Sequence, residues 1–309
     1  MLANTTKTKL TTPDGNFAVS VLIESPTTPG VYDPAPVYDP PANALPKPQT
    51  HQSYIASAES SLFKVHVDDL RIYQTTGLAA SLYLDGTFIE CFALDPVKGH
   101  KTCTFVGRRE SQTAIRPFKF NKLALTDDDT SATTDEGIVK SMGTIVVKLC
   151  RIQVLGPSHQ QATYAPPPSS AVLHERSKKA QLSHQTGLGA PVVTPAQTRT
   201  EATWYETNAN PYVTFEIAYR SRTLLELLNI VPASEIAEPA PVAAAAPAAG
   251  PSTGNAGPTS SAKKRKATTV ITIDSDSDDG KDVKPKIKAE KKIKGEKGAK
   301  KEKIVLEVD

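Results

Sequence analysis

The 309 residues carry 36 Lys/Arg against 33 Asp/Glu and include 25 prolines, with 39 % hydrophobic and 6 % aromatic side chains. The apolar and aromatic fractions are low for a chain folded end to end, so part of it is expected to lack a packed core. Cys91, Cys103 and Cys150 are odd in number and widely spaced, which argues against a disulfide framework and for a reducing compartment. Met1–Leu10 lacks the apolar core of a signal peptide, and no run approaches the roughly 20 apolar residues of a membrane span.

The net charge of +3 hides an asymmetry. Residues 261–309 hold 15 basic and 10 acidic side chains, whereas residues 1–260 hold 21 and 23. A near-neutral body with a basic tail points to nuclear import, nucleic acid or an acidic partner for the tail.

In chain order, residues 1–13 read as a flexible N-terminus, and Phe17–Ile23 is the first strand, with Phe17, Val19, Val21 and Ile23 on one face. The proline cluster of residues 25–50, with Val31-Tyr32-Asp33-Pro34 and Val37-Tyr38-Asp39-Pro40, predicts an extended edge connection, or a polyproline ligand as the less favoured reading. His51–Ala56 and Leu62–Val67 read as one strand pair. Leu78–Leu84 and Thr87–Leu94 flank Asp85-Gly86, the strongest hairpin signal in the chain. Strands are predicted over Lys101–Val106 and Pro117–Leu125. Gly143–Val154 is apolar on both faces, which predicts a central strand covered on two sides.

Residues 156–171 form a Pro/Ser/Gln loop, and residues 186–201 look irregular. Tyr212–Tyr219 is the last expected strand, with Phe215, Ile217 and Tyr219 on one face. Ser221 then caps a short helix ended by Asn229 and Pro232. Many short strands and one C-terminal helix predict an all-β, sandwich-like domain over residues 14–232.

Catalytic patterns are missing from this domain. His174-Glu175 begins a zinc-protease helix, but Lys178 stands where the second His belongs. The His and Cys residues show no ligand spacing, and Asp127-Asp128-Asp129 lacks the remainder of a calcium loop. Arg176, Lys178 and Lys179 read as a solvated loop rather than a ligand patch. No metal or cofactor is expected, and the chain reads as non-enzymatic.

Ser53-Tyr54-Ile55-Ala56-Ser57, Arg116-Pro117-Phe118 through Thr126-Asp127-Asp128-Asp129, Gly143-Thr144-Ile145, His174 to Ala180 and Tyr212 to Pro232 follow one another in an order that resembles an uncharacterised domain-of-unknown-function family, number 7918, abundant in basidiomycete fungi. The resemblance covers roughly residues 14–232. It implies fungal origin and one β-rich domain, and it carries no activity and no functional residues.

Beyond Pro232 the composition changes. Residues 233–260 are an Ala/Pro/Gly linker. Residues 261–309 are too polar to offset their ordering entropy and are expected to form a disordered tail. Lys263-Lys264-Arg265-Lys266 has the form of a nuclear import signal for an import receptor.

Val270-Ile271-Thr272-Ile273-Asp274-Ser275-Asp276-Ser277 resembles a SUMO-interacting motif. In an extended chain Ile271 and Ile273 face one way and Val270 the other. The backbone is free to join a sheet edge, and Asp274 and Asp276 would meet a basic rim. Ser275 and Ser277 precede acids and read as phosphorylation sites that would add negative charge.

Ile287-Lys288-Ala289-Glu290 and Ile293-Lys294-Gly295-Glu296 resemble SUMO-acceptor sites at Lys288 and Lys294. The 11 lysines between Lys281 and Lys303 could contact nucleic-acid phosphates without reading sequence. Ile304-Val305-Leu306-Glu307-Val308-Asp309 reads as a sticky terminus, or less favourably as a second SUMO-binding strand. The expectation is a nuclear interaction protein recruited to SUMO or sumoylated proteins, with the β domain binding a further partner; the alternative is a nucleic-acid-associated protein working through the lysines.

Overall fold

The computed structural model describes residues 7–41, 45, 47–72, 75–128, 132–133, 135–158, 160, 164, 172–175 and 182–232, and the backbone of residues 303–308. Strand β1 (Leu10–Thr11) leads into β2 (Phe17–Glu24). The proline cluster supplies two short edge strands, β3 (Tyr32–Pro34) and β4 (Val37–Tyr38). Then come β5 (Thr50–Ser57), β6 (Leu62–Asp69), β7 (Gly77–Leu84) and β8 (Thr87–Leu94), and after them β9 (Thr102–Phe105), β10 (Gly107–Ser111), β11 (Ala114–Lys122) and β12 (Ala124–Thr126).

Helix α1 (Glu136–Ser141) precedes the long β13 (Thr144–Pro157), which is followed by β14 (Val172–His174), β15 (His184–Leu188), β16 (Val192–Val193), β17 (Thr198–Trp204) and β18 (Val213–Ser221). Helix α2 (Arg222–Leu227) comes next, and β19 (Lys303–Val308) is the last element. All of these lie in one unit, residues 1–235 with 300–309. The expected linker and the motifs between residues 261 and 302 lie outside the described residues.

Two sheets face each other, as the all-β sandwich reading expects. One runs β1-β2-β6-β11-β10, with β3 on β2, β9 on β6, and β15 and β16 on β11. The other runs β17-β19-β8-β7-β13-β18-β5-β4. β12 and β14 form a small parallel pair.

Period-2 alternation makes the core. Val19, Val21, Phe63, Val65, Val67, Phe105, Phe118 and Phe120 come from the first sheet. Leu78, Leu82, Ile145, Val147, Leu149, Phe215, Ile217 and Tyr219 come from the second. Aromatic pairs bridge the layers: Phe92 and Phe105 have ring centroids 4.8 Å apart, and Phe120 and Tyr219 5.0 Å. Each such pair adds about 0.5–1.5 kcal/mol beyond area burial.

The hairpin expectation holds. Asp85 and Gly86, with φ of 49° and 81°, join β7 to β8 in an antiparallel register from Leu84↔Thr87 to Leu78↔Leu94. Positive φ at both turn residues matches the twist of the flanking strands. β13 is the central strand, lying between β7 and β18. The Ser221 hydroxyl accepts from Leu224 N and caps α2, and Asn229 follows the helix with φ 56°.

Four points differ from the sequence reading. β5 and β6 are not a pair: β5 joins β18 in parallel, while β6 joins β2, β9 and β11 in the opposite sheet. The short Ala58–Ser61 connection therefore passes between layers. Second, residues 184–204 hold three strands, because register with β11 and β13 orders a stretch with few large apolar residues. Third, α1 is an added helix, started by Asp135, whose carboxylate accepts from Gly137 N and Ile138 N. Fourth, Lys303–Val308, placed by composition in an unfolded tail, is a strand: a sheet edge supplies the backbone partners that its own neighbourhood does not.

Candidate functional site

The second sheet buries side chains on both faces. Behind the main core, Ala79 of β7, Ala93 of β8, Ile152 of β13 and Ala202 of β17 form a separate buried cluster, with Cys91, Val154 and Trp204 packed against it. β17 pairs with β13 along one edge, from Ile152↔Trp204 to Pro157↔Thr200. Its other edge pairs with β19, from Thr198↔Val308 to Thr203↔Lys303. β19 in turn meets β8 in parallel at Glu307↔Phe92. The strands β13, β17, β19, β8 and β7 thus close a ring, and four of them supply the small cluster.

β8 and β17 stand as the two walls of a slot one strand wide. β17 is positioned from outside: the buried Arg109 donates to Gln197 Oε1 at 2.6 Å and to Pro195 O at 3.3 Å, fixing the chain just before Thr198. Next to the cluster lies an open cavity of about 340 Å³ that shares Ile152 and Val154 with it and adds Gly77, Asp95 and Tyr205. An edge of this kind offers unpaired N–H and C=O groups to an extended peptide. The signal for β17 was present in Thr198-Arg199-Thr200-Glu201-Ala202-Thr203-Trp204, where Thr200 and Ala202 are buried and Arg199 and Glu201 are not.

Three polar clusters carry groups used in catalysis. Thr104 Oγ1 lies 2.8 Å from His66 Nδ1, and His66 Nε2 lies 3.0 Å from Asp68 Oδ1, while Lys9 pairs with Asp68 Oδ2. His66 and Thr104 are register partners on β6 and β9, so strand pairing alone sets this row. Ser57 Oγ lies 2.9 Å from His184 Nδ1, and the two residues are buried, at 5 % and 9 % exposed. Burial lowers the His184 pKa, with the Glu59 charge acting the other way. The third cluster, around Asp85 and Tyr219, ties strands together. Among the described residues, no group of three His, Cys, Asp or Glu could hold a metal ion, and no helix is long and apolar enough to cross a membrane.

Val270, Ile271, Ile273, Asp274 and Asp276, the basic Lys263–Lys266, Lys288 and Lys294, and Ser275 and Ser277 all lie outside the described residues, as do Asp129, Lys178 and Lys179. Of the tail stretches, only Ile304–Val308 is placed, and it lies in the slot.

No curated protein and no solved structure matches the chain. A family model described as Domain of unknown function (DUF7918) matches residues 32–234, which takes in both walls of the slot and leaves out β1, β2 and β19. With about two thirds of its length matched, the chain belongs to this DUF7918 family.

Proposed function

We propose that this chain is a non-enzymatic nuclear interaction protein whose tail binds SUMO by β-augmentation, while its β domain binds a separate partner. Val270, Ile271 and Ile273 supply the aliphatic side chains, and Asp274 and Asp276 the charges for a basic rim. The observation that supports this is the behaviour of the chain's other aliphatic–acidic stretch: Ile304-Val305-Leu306-Glu307-Val308 joins a sheet as a strand between β17 and β8. Stretches of this chemistry pair with sheet edges readily, because β-branched residues suit the pleated geometry and the backbone supplies the bonds. Burying three such side chains gives roughly 1.5–3 kcal/mol each, and ordering about five residues costs roughly 1–2 kcal/mol each. These two terms roughly cancel, so the backbone hydrogen bonds and the acids supply the surplus, and binding is expected to be weak, on the order of micromolar.

Lys263-Lys264-Arg265-Lys266 serves nuclear import, and Lys288 and Lys294 are the acceptor lysines for SUMO conjugation. Phosphorylation of Ser275 or Ser277 strengthens the acidic side. The test is an NMR titration of the full chain with SUMO. Shifts at Val270–Asp274, lost with Val270→Ala, Ile271→Ala and Ile273→Ala, support the reading; a titration without shifts there removes it. A DNA gel shift that falls steeply with salt and survives those substitutions would instead favour phosphate contacts by the 11 lysines of residues 281–303.

A further inference from the structure

β19 reaches its sheet from about 70 residues beyond Pro232. Its neighbours are anchored independently of it: β8 by the hairpin with β7, β17 by its ladder to β13 and by Arg109. Both walls lie within the matched family domain, and the strand between them lies outside it. We propose that the β8–β17 slot is a peptide-binding site of the β domain, occupied in cis by Lys303–Val308. In trans it takes an extended segment of three aliphatic residues followed by an acid, from another protein.

The chemistry of the ligand follows from the walls and the register. Six consecutive register pairs with β17 give the backbone ladder. The cluster behind the slot, Ala79, Ala93, Ile152 and Ala202 with Cys91, Val154 and Trp204, is an apolar surface against which an aliphatic occupant packs favourably. Arg199 is the register partner of Glu307, which sets one cation opposite one acid. β19 belongs to the same chain as the slot, which makes its binding intramolecular. The resident strand therefore competes with every outside ligand, and release of the tail exposes the site. This site does not depend on the SUMO reading.

The test uses the full chain carrying Ile304→Pro and Leu306→Pro, which removes two strand N–H donors, beside the unaltered chain. Each is titrated with a fluorescent peptide of residues 301–309. The expected result is saturable binding to the proline variant and binding at least tenfold weaker to the unaltered chain. Adding Arg199→Glu to the variant weakens the peptide, and a peptide with Glu307→Arg recovers the loss. Equal affinity for both chains overturns the proposal, as does absence of binding to a variant with an intact β-sheet circular dichroism spectrum. Collapse of that spectrum on introducing the prolines also overturns it, because β19 would then be a structural strand and not a ligand.

Discussion

The hydroxyl of Tyr219 on β18 donates to the carboxylate of Asp85 at the β7–β8 turn, 2.7 Å from each oxygen. The same carboxylate accepts from Gly143 N at 2.7 Å, Thr144 N at 3.3 Å, Thr186 N at 2.7 Å and Thr186 Oγ1 at 2.6 Å. One side chain therefore joins the hairpin turn to β13 and β18 in its own sheet and to β15 in the other. Burial, then the Asp85 charge, raises the Tyr219 pKa well above its usual value, so the hydroxyl remains a donor.

Removing Tyr219's hydroxyl takes one donor from the Asp85 carboxylate, whereas removing Asp85 leaves buried donors without an acceptor. Tyr219→Phe is expected to cost about 1–3 kcal/mol, the penalty of one lost bond to a charged acceptor. Asp85→Ala orphans several buried donors at once and is expected to cost more, about 3–5 kcal/mol. Urea denaturation of the two single variants and the double variant checks this. The double variant should fall short of the sum, since both changes delete the same bond; strict additivity would show that the two residues do not act together.

Gly86 and Gly99 offer a controlled comparison. Their φ angles are 81° and 84°, so a Cβ meets similar backbone strain at both. At Gly86 it would also lie 2.8 Å from Ser141 Cβ, whereas at Gly99 nothing lies within 4 Å. Gly99→Ala is expected to cost about 1–2 kcal/mol, and Gly86→Ala at least 1 kcal/mol more from overpacking. Thermal melts that rank the two equally would show that the turn yields away from α1.

His184 gives the domain a pH dependence. Its imidazole sits beside the Ser57 hydroxyl with its pKa lowered from 6.5, chiefly by burial. The unfolded chain takes up a proton as pH falls through about 6.5, while the folded chain does so only at lower pH. Stability is therefore complete above 6.5 and declines as pH drops below it, levelling beneath the folded pKa. His51 acts in the same direction for the same reason. His184→Gln should make the urea midpoint less dependent on pH between 7.5 and 5 without abolishing the slope. Parallel curves for variant and unaltered chain would assign the slope to other groups.

Much of the sandwich is written in local pattern. Asp85-Gly86 between alternating runs specifies its hairpin, the two apolar faces of β13 specify a covered central strand, and Ser221 specifies a helix start. Phe215, Ile217 and Tyr219 face the core together as their spacing requires. What local pattern does not carry is partnership. β5 and β6 are adjacent in sequence and alternate equally well, yet they enter opposite sheets, because the choice depends on β18 and β2, far away in the chain. The slot is harder still. β17 has three Thr in seven residues, β19 is six residues in a Lys-rich tail, and the pairing Thr198↔Val308 joins segments more than a hundred residues apart. β17 lacks the apolar content to announce itself, whereas β19 is aliphatic but sits in a polar tail; each is ordered by a neighbour that only the folded sheet supplies.

The three thiols should separate by reactivity. Cys150 on β13 is fully buried, and burial pushes its pKa up to about 11, opposed first by a hydrogen bond to the Tyr212 backbone. At pH 8 such a thiol is about one part in a thousand thiolate, against roughly a quarter for an ordinary cysteine. Cys103 is 1 % exposed in the main core. Cys91, on β8 against the small cluster of the ring, is half-buried. Iodoacetamide at pH 8, read by peptide mass spectrometry, is expected to modify Cys91 first, and Cys103 and Cys150 only at the rate of unfolding. Because Cys91 sits in a wall of the slot, Ile304→Pro with Leu306→Pro should quicken its modification and leave the other two unchanged. Three equal rates would mean that the layers open together, and an unchanged Cys91 rate in the proline variant would place β19 away from that wall.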